Sequence, residues 1–384
     1  MPTPNDIYLY EKRIEEMLPL FPFYIKEYID AQDTNNRSVT TRLGYLHEFK
    51  TFFNWLLKDN DALTGSYSAI SEIPYEELEK LSLKAVERYL DFLKKENLNE
   101  GKPNTYTIRR RKKPSINRNI SALKSLFNYL TTKTEKDDGE CYFYRNVMQK
   151  IDFQKDLKTA NSRARKISSD ILHDDKIREF IDFLKYDYEH TLDSTRKLNH
   201  FIKNKERDIA IISLFLGTGL RVSELASIEM THIDFKELEI DVVRKGSIED
   251  TVEVLPLAMD DLMEYLAIRE KRYKVPKNFP FVFVSVYGKE TKAISVRTIQ
   301  NLVDTYSKAF TGGKALSPHK LRHSYASEYI SRGGGNIILL RDQLGHSSIE
   351  TTSKYTNLSK EERKEIVRKM NDRRLGIDNE GNEG

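Results

Sequence analysis

The chain contains a single cysteine, Cys141, in 384 residues. That count rules out an internal disulfide framework and a thiolate zinc site, and a reducing cytoplasm fits it. No stretch approaches the ~18 apolar residues of a membrane-spanning helix. The opening run MPTPNDIYLYEKRIEEMLPLFPFYIKEYI is broken by Pro, Lys and Glu before a signal-like apolar core develops. The expectation is a soluble cytoplasmic protein with no membrane insertion. Charge of one sign does not dominate either, since 63 Lys and Arg stand against 59 Asp and Glu, a net of +4. Internal repeats and long low-complexity tracts are missing, and only the tail GIDNEGNEG, residues 376–384, reads as disordered.

What the net charge hides is local. Arg109, Arg110, Arg111, Lys112 and Lys113 run together, and Lys158, Arg163, Arg165 and Lys166 cluster in a stretch holding no acid after Asp156. Such patches suit a polyanion, although either alone also reads as a solvated charged face.

The length exceeds a usual single domain, so two domains are expected. Residues 1–157 read as an all-helical domain with an N-terminal extension. Val39, Leu43, Leu46, Phe49, Phe53 and Leu56 recur at three- and four-residue steps across 38–58, the pattern of an amphipathic helix. Leu83, Val86, Leu90 and Leu93 predict a second over 82–95; Ile116, Ile120, Leu123, Phe127 and Leu130 predict a third over 115–131. Arg42, Lys50, Lys84, Arg88, Arg118 and Lys124 fall on the polar faces.

The polar, basic segment 158–169 reads as an interdomain linker, and 170–375 as a second domain. There, Asp170 is expected to cap a helix carrying Ile171, Ile177, Phe180, Ile181 and Leu184. Residues 186–205 are expected as an extended connection or an insertion, with a strongly apolar helix starting near Glu206 and stopping at Gly217 and Gly219. THIDFKELEIDVVRKGSIEDTVEVLPL alternates as a small antiparallel sheet with a turn near Gly246, the one convincing β region. Helix resumes at Ala258, and NFPFVFVSVYGKE is a short strand or a buried turn. Ser295 caps a further helix, and Ser317 with Pro318 starts the one bearing His319 and Arg322. The fold class is therefore mainly α with a small antiparallel β-sheet in the C-terminal domain.

Against that frame, four segments carry chemistry in a fixed order: Arg221 in LGTGLRVSEL, Lys245 in VVRKGS, His319 and Arg322 in SPHKLRHSYAS, then His346 and Tyr355 in LGHSSIETTSKYTN. Each residue alone has a bland reading as a turn, core or surface residue; the conjunction points to phosphate chemistry. Two arginines, a lysine and two histidines can surround a phosphodiester with donors, and a tyrosine hydroxyl can attack it without a metal or cofactor. His319 and Arg322, three apart at a helix start, share a face that favours an anion. The planar guanidinium fork holds two phosphate oxygens in a way lysine does not. A tyrosine of unperturbed pKa ~10 needs a nearby base and positive charge to attack.

The order and spacing resemble the tyrosine recombinase (integrase) family over about residues 170–360, and most closely its bacterial Xer type. The long front segment with LPLFPFYIKEYI resembles the single-recombinase branch of that type. The resemblance implies Tyr355 as nucleophile, a 3′-phosphotyrosine link and a free 5′-hydroxyl. It implies that Lys245 protonates the leaving oxygen, His319 helps move the tyrosine proton, and His346 donates to the phosphate. Glu224, three after Arg221, takes the family's acidic position. The front half then corresponds to a core-binding (SAM-like) domain, and the two domains to a C-shaped clamp on duplex DNA whose linker crosses the backbone.

Arg109–Lys113, Arg163 and Arg165 are candidate DNA contacts, and Arg297 and Gln300 candidate groove readers. Ser359 and Glu362 form a capping box for a last helix through about Arg374, whose apolar stripe docks on its own domain or on a neighbouring protomer of a homotetramer spanning two DNA sites. The implied activity is site-specific recombination through a Holliday junction, in chromosome dimer resolution and segregation, with a DNA translocase as a possible regulator. Other readings remain open: a phage or transposon integrase, a type IB topoisomerase, or a non-catalytic DNA-binding protein.

Overall fold

The computed structural model describes residues 4–59, 61–100, 107–155, 162, 169–173, 175–244, 248–288, 290–331 and 336–345. Contacts divide the chain into two units, Pro4–Leu157 and Lys158–Gly384, the second also taking Met1–Thr3. Among the described residues no helix is long and apolar enough to cross a membrane.

The first unit is helical: α1 (Pro4–Met17), α2 (Phe23–Thr34), α3 (Val39–Leu56), α4 (Tyr75–Lys80), α5 (Leu83–Lys95) and α6 (Lys113–Thr132). The three apolar stripes predicted from sequence are α3, α5 and α6. Every named stripe residue of α3 and α6 is buried, while on α5 Leu83 and Leu90 are half-buried and Tyr89 joins the core. Burial of each such side chain contributes about 1.5–3 kcal/mol, and rings fill much of the volume, as where Phe52 meets Tyr89 edge-on at 4.9 Å. Arg42, expected on the polar face, is buried instead. Neighbours enclose α3 on more than one side, and the Arg42 guanidinium reaches Asp33 at 2.8 Å.

The second unit begins with α7 (Asp175–Asp182). Asp170 does not cap it: its carboxylate pairs with Lys314 at 3.2 Å and Lys320 at 3.8 Å, five residues short of the helix. α8 (Thr195–Thr218) corrects the expected extended segment over 186–205. Ser194 caps the helix, and its first turns turn only Leu198, Phe201 and Asn204 inward, too sparse a stripe to read in a polar sequence. From Ile209 to Thr218 the helix is buried all round.

Next come the short helix α9 (Val222–Ala226) and an antiparallel sheet of β1 (Ile233–Asp234), β2 (Glu239–Arg244) and β3 (Ile248–Glu253), in the order β1-β2-β3. After α10 (Pro256–Tyr273), β4 (Val284–Tyr287) pairs antiparallel with β5 (Glu290–Ala293). β5 was not expected. It has no apolar alternation and is held by the ladder and by the Thr291 hydroxyl, which donates to the Tyr273 carbonyl at 2.8 Å. Ser295 caps α11 (Val296–Thr311), accepting from the Thr298 N–H at 3.1 Å. α12 (Pro318–Ser331) starts where the Ser-Pro pair predicts, and α13 (Ile337–Leu344) follows. The final capping box, the last helix and the tail lie outside the described residues, as do nearly all positions of the 158–169 segment.

Candidate active site

α8 ends at Gly219, whose N–H bonds to the Phe215 carbonyl and whose φ is +68°. This left-handed turn must be glycine for a second reason: a Cβ here would lie 2.5 Å from the Tyr325 ring and 2.7 Å from Leu344. The turn brings Arg221 to the N-cap of α9, where its N–H donates to Glu224 Oε2 and its Nη1 to Glu224 Oε1, both at 2.7 Å. Glu224 is 2% exposed. Burial alone would raise its pKa; the Arg221 N–H and the charges of Arg244 and Arg221 outweigh that and hold it below the ordinary carboxylate range.

Three guanidiniums meet at the C-terminal end of α13. Arg221 Nη2 donates to the Gly345 carbonyl at 2.9 Å, Arg322 Nη2 to the Leu344 carbonyl at 2.6 Å, and Arg244 Nη2 to the Gln343 carbonyl at 2.7 Å. The last carbonyls of a helix have no partner within it and carry its negative dipole end, so they are natural acceptors for cations. Arg322 Nη1 also donates to the Gly219 carbonyl at 2.6 Å, joining both glycine turns to one side chain. Gly345 itself has φ +60°, and a Cβ on it would lie 2.6 Å from Arg244 Nε. Arg244 and Arg322 are buried, whereas the Arg221 side chain keeps 28% of its surface.

His319 lies in the first turn of α12, one turn before Arg322, and keeps an exposed edge. Partial desolvation, then the positive charges of Arg322 and Arg221, lower its pKa from the ordinary histidine value. The shift favours the neutral imidazole, the form able to accept a proton. Sequence reasoning named Arg221, Glu224, His319 and Arg322, and the fold brings them together. Lys245, His346 and Tyr355 lie outside the described residues. Arg244 was missed, yet its signal was present: it follows Ile240 and Val242 on the inward side of β2, an unusual place for an arginine.

The remaining candidates are dispersed. Arg109, Arg110, Lys112 and Lys113 are exposed, with Lys113 Nζ 3.3 Å from the Lys155 carbonyl. Arg111 is held by Glu96 at 2.8 Å. Arg297 and Gln300 are exposed one turn apart on α11. Arg163 and Arg165 lie outside the described residues. Among those described, no group of three or more His, Cys, Asp or Glu could hold a metal ion.

Comparison with known proteins agrees with this chemistry. The profile of the phage integrase family matches residues 190–362. The chain belongs to that family of tyrosine recombinases, enzymes that break and rejoin DNA strands at specific sites. Within it the chain falls in the Xer type and its XerS branch. Tyrosine recombinase XerS of Streptococcus mutans serotype c is 36% identical over 94% of this chain and 98% of its own length. The XerS of Streptococcus thermophilus strain CNRZ 1066 is 37% identical over 93% and 97%. Among solved structures, the XerH site-specific recombinase on palindromic difH substrate, a post-cleavage complex, shares the fold at 18% identity with a TM-score of 0.57, covering 86% of this chain and 78% of that one.

Proposed function

We propose that this recombinase uses Tyr355 to attack the scissile phosphodiester, forming a 3′-phosphotyrosine bond as the bond from phosphorus to the 5′-oxygen breaks. The observation that carries the reading is that Arg221 and Arg322 converge on the carbonyls that end α13, near enough to His319 for their charges to lower its pKa. Arg221 and Arg322 bind the non-bridging oxygens and stabilise the charge that grows on them. His319 accepts the tyrosine proton, and Lys245 protonates the leaving 5′-oxygen. His346 donates to the phosphate, while Glu224 orients Arg221. Attack by a 5′-hydroxyl from the partner duplex reverses the steps and reseals the strand. The phosphotyrosine keeps the energy of the cut bond, so the reaction needs no ATP.

In this reading two DNA sites are held by four copies of the chain, which exchange one strand pair at a time through a Holliday junction. Residues 1–157 serve as the core-binding domain and residues 170–375 as the catalytic domain, with the basic segment 158–169 between them. Exposed Arg109, Arg110, Lys112 and Lys113, together with Arg163 and Arg165, supply phosphate contacts, with Arg297 and Gln300 reading the groove. The similarity to XerS proteins along nearly the whole chain supports a cytoplasmic role in chromosome dimer resolution and segregation, with a DNA translocase as regulator.

Covalent trapping tests the proposal. Wild type and Tyr355→Phe are incubated with a genomic fragment library carrying random nicks, denatured, and the protein-linked DNA is sequenced. A nick beside the cut releases the leaving piece, so the intermediate accumulates. One locus enriched by wild type alone is the expected result; equal recovery from both proteins sinks the assignment of Tyr355.

A further inference from the structure

We infer that Arg244 is a positioning residue that fastens β2, the strand that precedes Lys245 in the chain, to the helix end that precedes His346, through the acid that holds Arg221. Its guanidinium touches each of the three pieces. Nη1 donates to Glu224 Oε2 at 3.1 Å, Nη2 to the Gln343 carbonyl at 2.7 Å, and Nε to Asp250 across the hairpin at 2.9 Å. Nη1 also lies 3.4 Å from the Leu344 carbonyl. Only 4% of Arg244 is exposed, so this is a fastening inside the protein and not a DNA contact.

A second tie runs in parallel. The Gln343 side chain accepts from the Glu253 N–H at 3.2 Å and donates to the Glu253 carbonyl at 2.9 Å, pairing with the end of β3 as a further strand would. The end of α13 is thus bound to β2 by Arg244 and to β3 by Gln343. Charge gives Arg244 another role. Arg244 pairs with both Glu224 and Asp250, and Glu224 also holds Arg221. Without Arg244, buried Glu224 loses one of the cations that keep it ionised. Its proton affinity then rises, and a protonated Glu224 no longer accepts fully from Arg221. Loss of Arg244 therefore slows cleavage.

This inference rests on the recombinase reading, and the test separates the two. The probe is a nicked duplex of the locus recovered by trapping, cut under single-turnover conditions by wild type, Arg244→Ala, Arg244→Lys and Asp250→Ala. Asp250 is partly exposed, so its substitution spares the core should Arg244→Ala fail to fold. Displacement of a reacting group by about 1 Å costs on the order of 100-fold in rate. A loss of that size is expected for Arg244→Ala with duplex affinity retained, partial recovery in Arg244→Lys or with added guanidinium ion, and a smaller loss in Asp250→Ala. Hydrogen exchange supplies a readout independent of cleavage: amides of 341–345 and of the β2–β3 hairpin should exchange faster together in Arg244→Ala, with α10 unchanged. Wild-type cleavage rates in Arg244→Ala at every pH, or unchanged exchange at 341–345, would overturn the inference. Coupled exchange in a protein whose wild type forms no Tyr355-dependent adduct would leave the fastening intact and remove the recombinase reading instead.

Discussion

Two groups of arginines, one in each unit, are held differently. In Pro4–Leu157, Arg42, Arg88, Arg111 and Arg118 each meet a carboxylate of their own: Asp33, Asp59, Glu96 and Glu48. In the second unit, Arg221, Arg244 and Arg322 gather on the carbonyls at one helix end, and Arg221 and Arg244 share the Glu224 carboxylate. Pairing one to one neutralises a side chain and adds to fold stability. An uncharged main-chain carbonyl can fix the orientation of a guanidinium without cancelling its charge.

Substitution should separate the two groups. Arg322→Ala and Arg221→Ala are expected to slow cleavage of a nicked duplex by about 10²–10³-fold, the cost of losing one donor to a developing oxyanion, with a much smaller loss of duplex affinity. Equal losses of rate and affinity would put these arginines in binding alone. The same variants carry a pH signature. Their charges help hold the His319 pKa down, so removing either raises it, and the base becomes protonated at a higher pH. The acid limb of the rate profile should move upward in Arg221→Gln, and titration of the His319 ring by NMR should move the same way. A limb that stays in place would show that another group provides it.

Gly345→Ala comes next in size. Its positive φ and the contact of a new Cβ with Arg244 combine strain and displacement, a cost of about 1–3 kcal/mol in urea unfolding. Cleavage should fall further than stability predicts, because Arg244 must move. A rate that follows the folded fraction alone would make Gly345 a structural residue.

These elements differ in how far the sequence discloses them. α3, α5 and α6 were legible because each has an apolar stripe at helical spacing, and Arg221, His319 and Arg322 because their order along the chain is itself a pattern. The first half of α8 was not, since it turns about one side chain per turn toward the core. β5 was missed because a ladder of main-chain bonds holds it, and no side-chain pattern records that. Arg244 was missed for a related reason: its acceptors on α13 are carbonyls 99 and 100 residues away, to which any residue type contributes equally. Its inward place on β2 was visible, but the meaning of that place depends on what packs opposite.

The first unit offers the converse test. Glu48 is buried and accepts from Arg118 at 2.8 Å and Asn119 at 3.1 Å, and Asn119 in turn donates to the Tyr89 hydroxyl at 2.9 Å. Glu48→Ala strands a buried donor, which costs about 1–3 kcal/mol in urea unfolding, while the cleavage rate of the folded fraction should stay at the wild-type level. A rate that fell with stability intact would bring this network into the chemistry and erase the contrast between the units. The smallest effects belong to exposed cations with no buried partner. Arg110→Ala and Arg297→Ala should each weaken duplex binding and reduce the slope of log affinity against log salt by about 1 if the side chain meets a phosphate. An unchanged slope with altered sequence preference would instead put Arg297 at a base edge, because a groove contact discriminates between sequences while a phosphate contact weakens all of them alike.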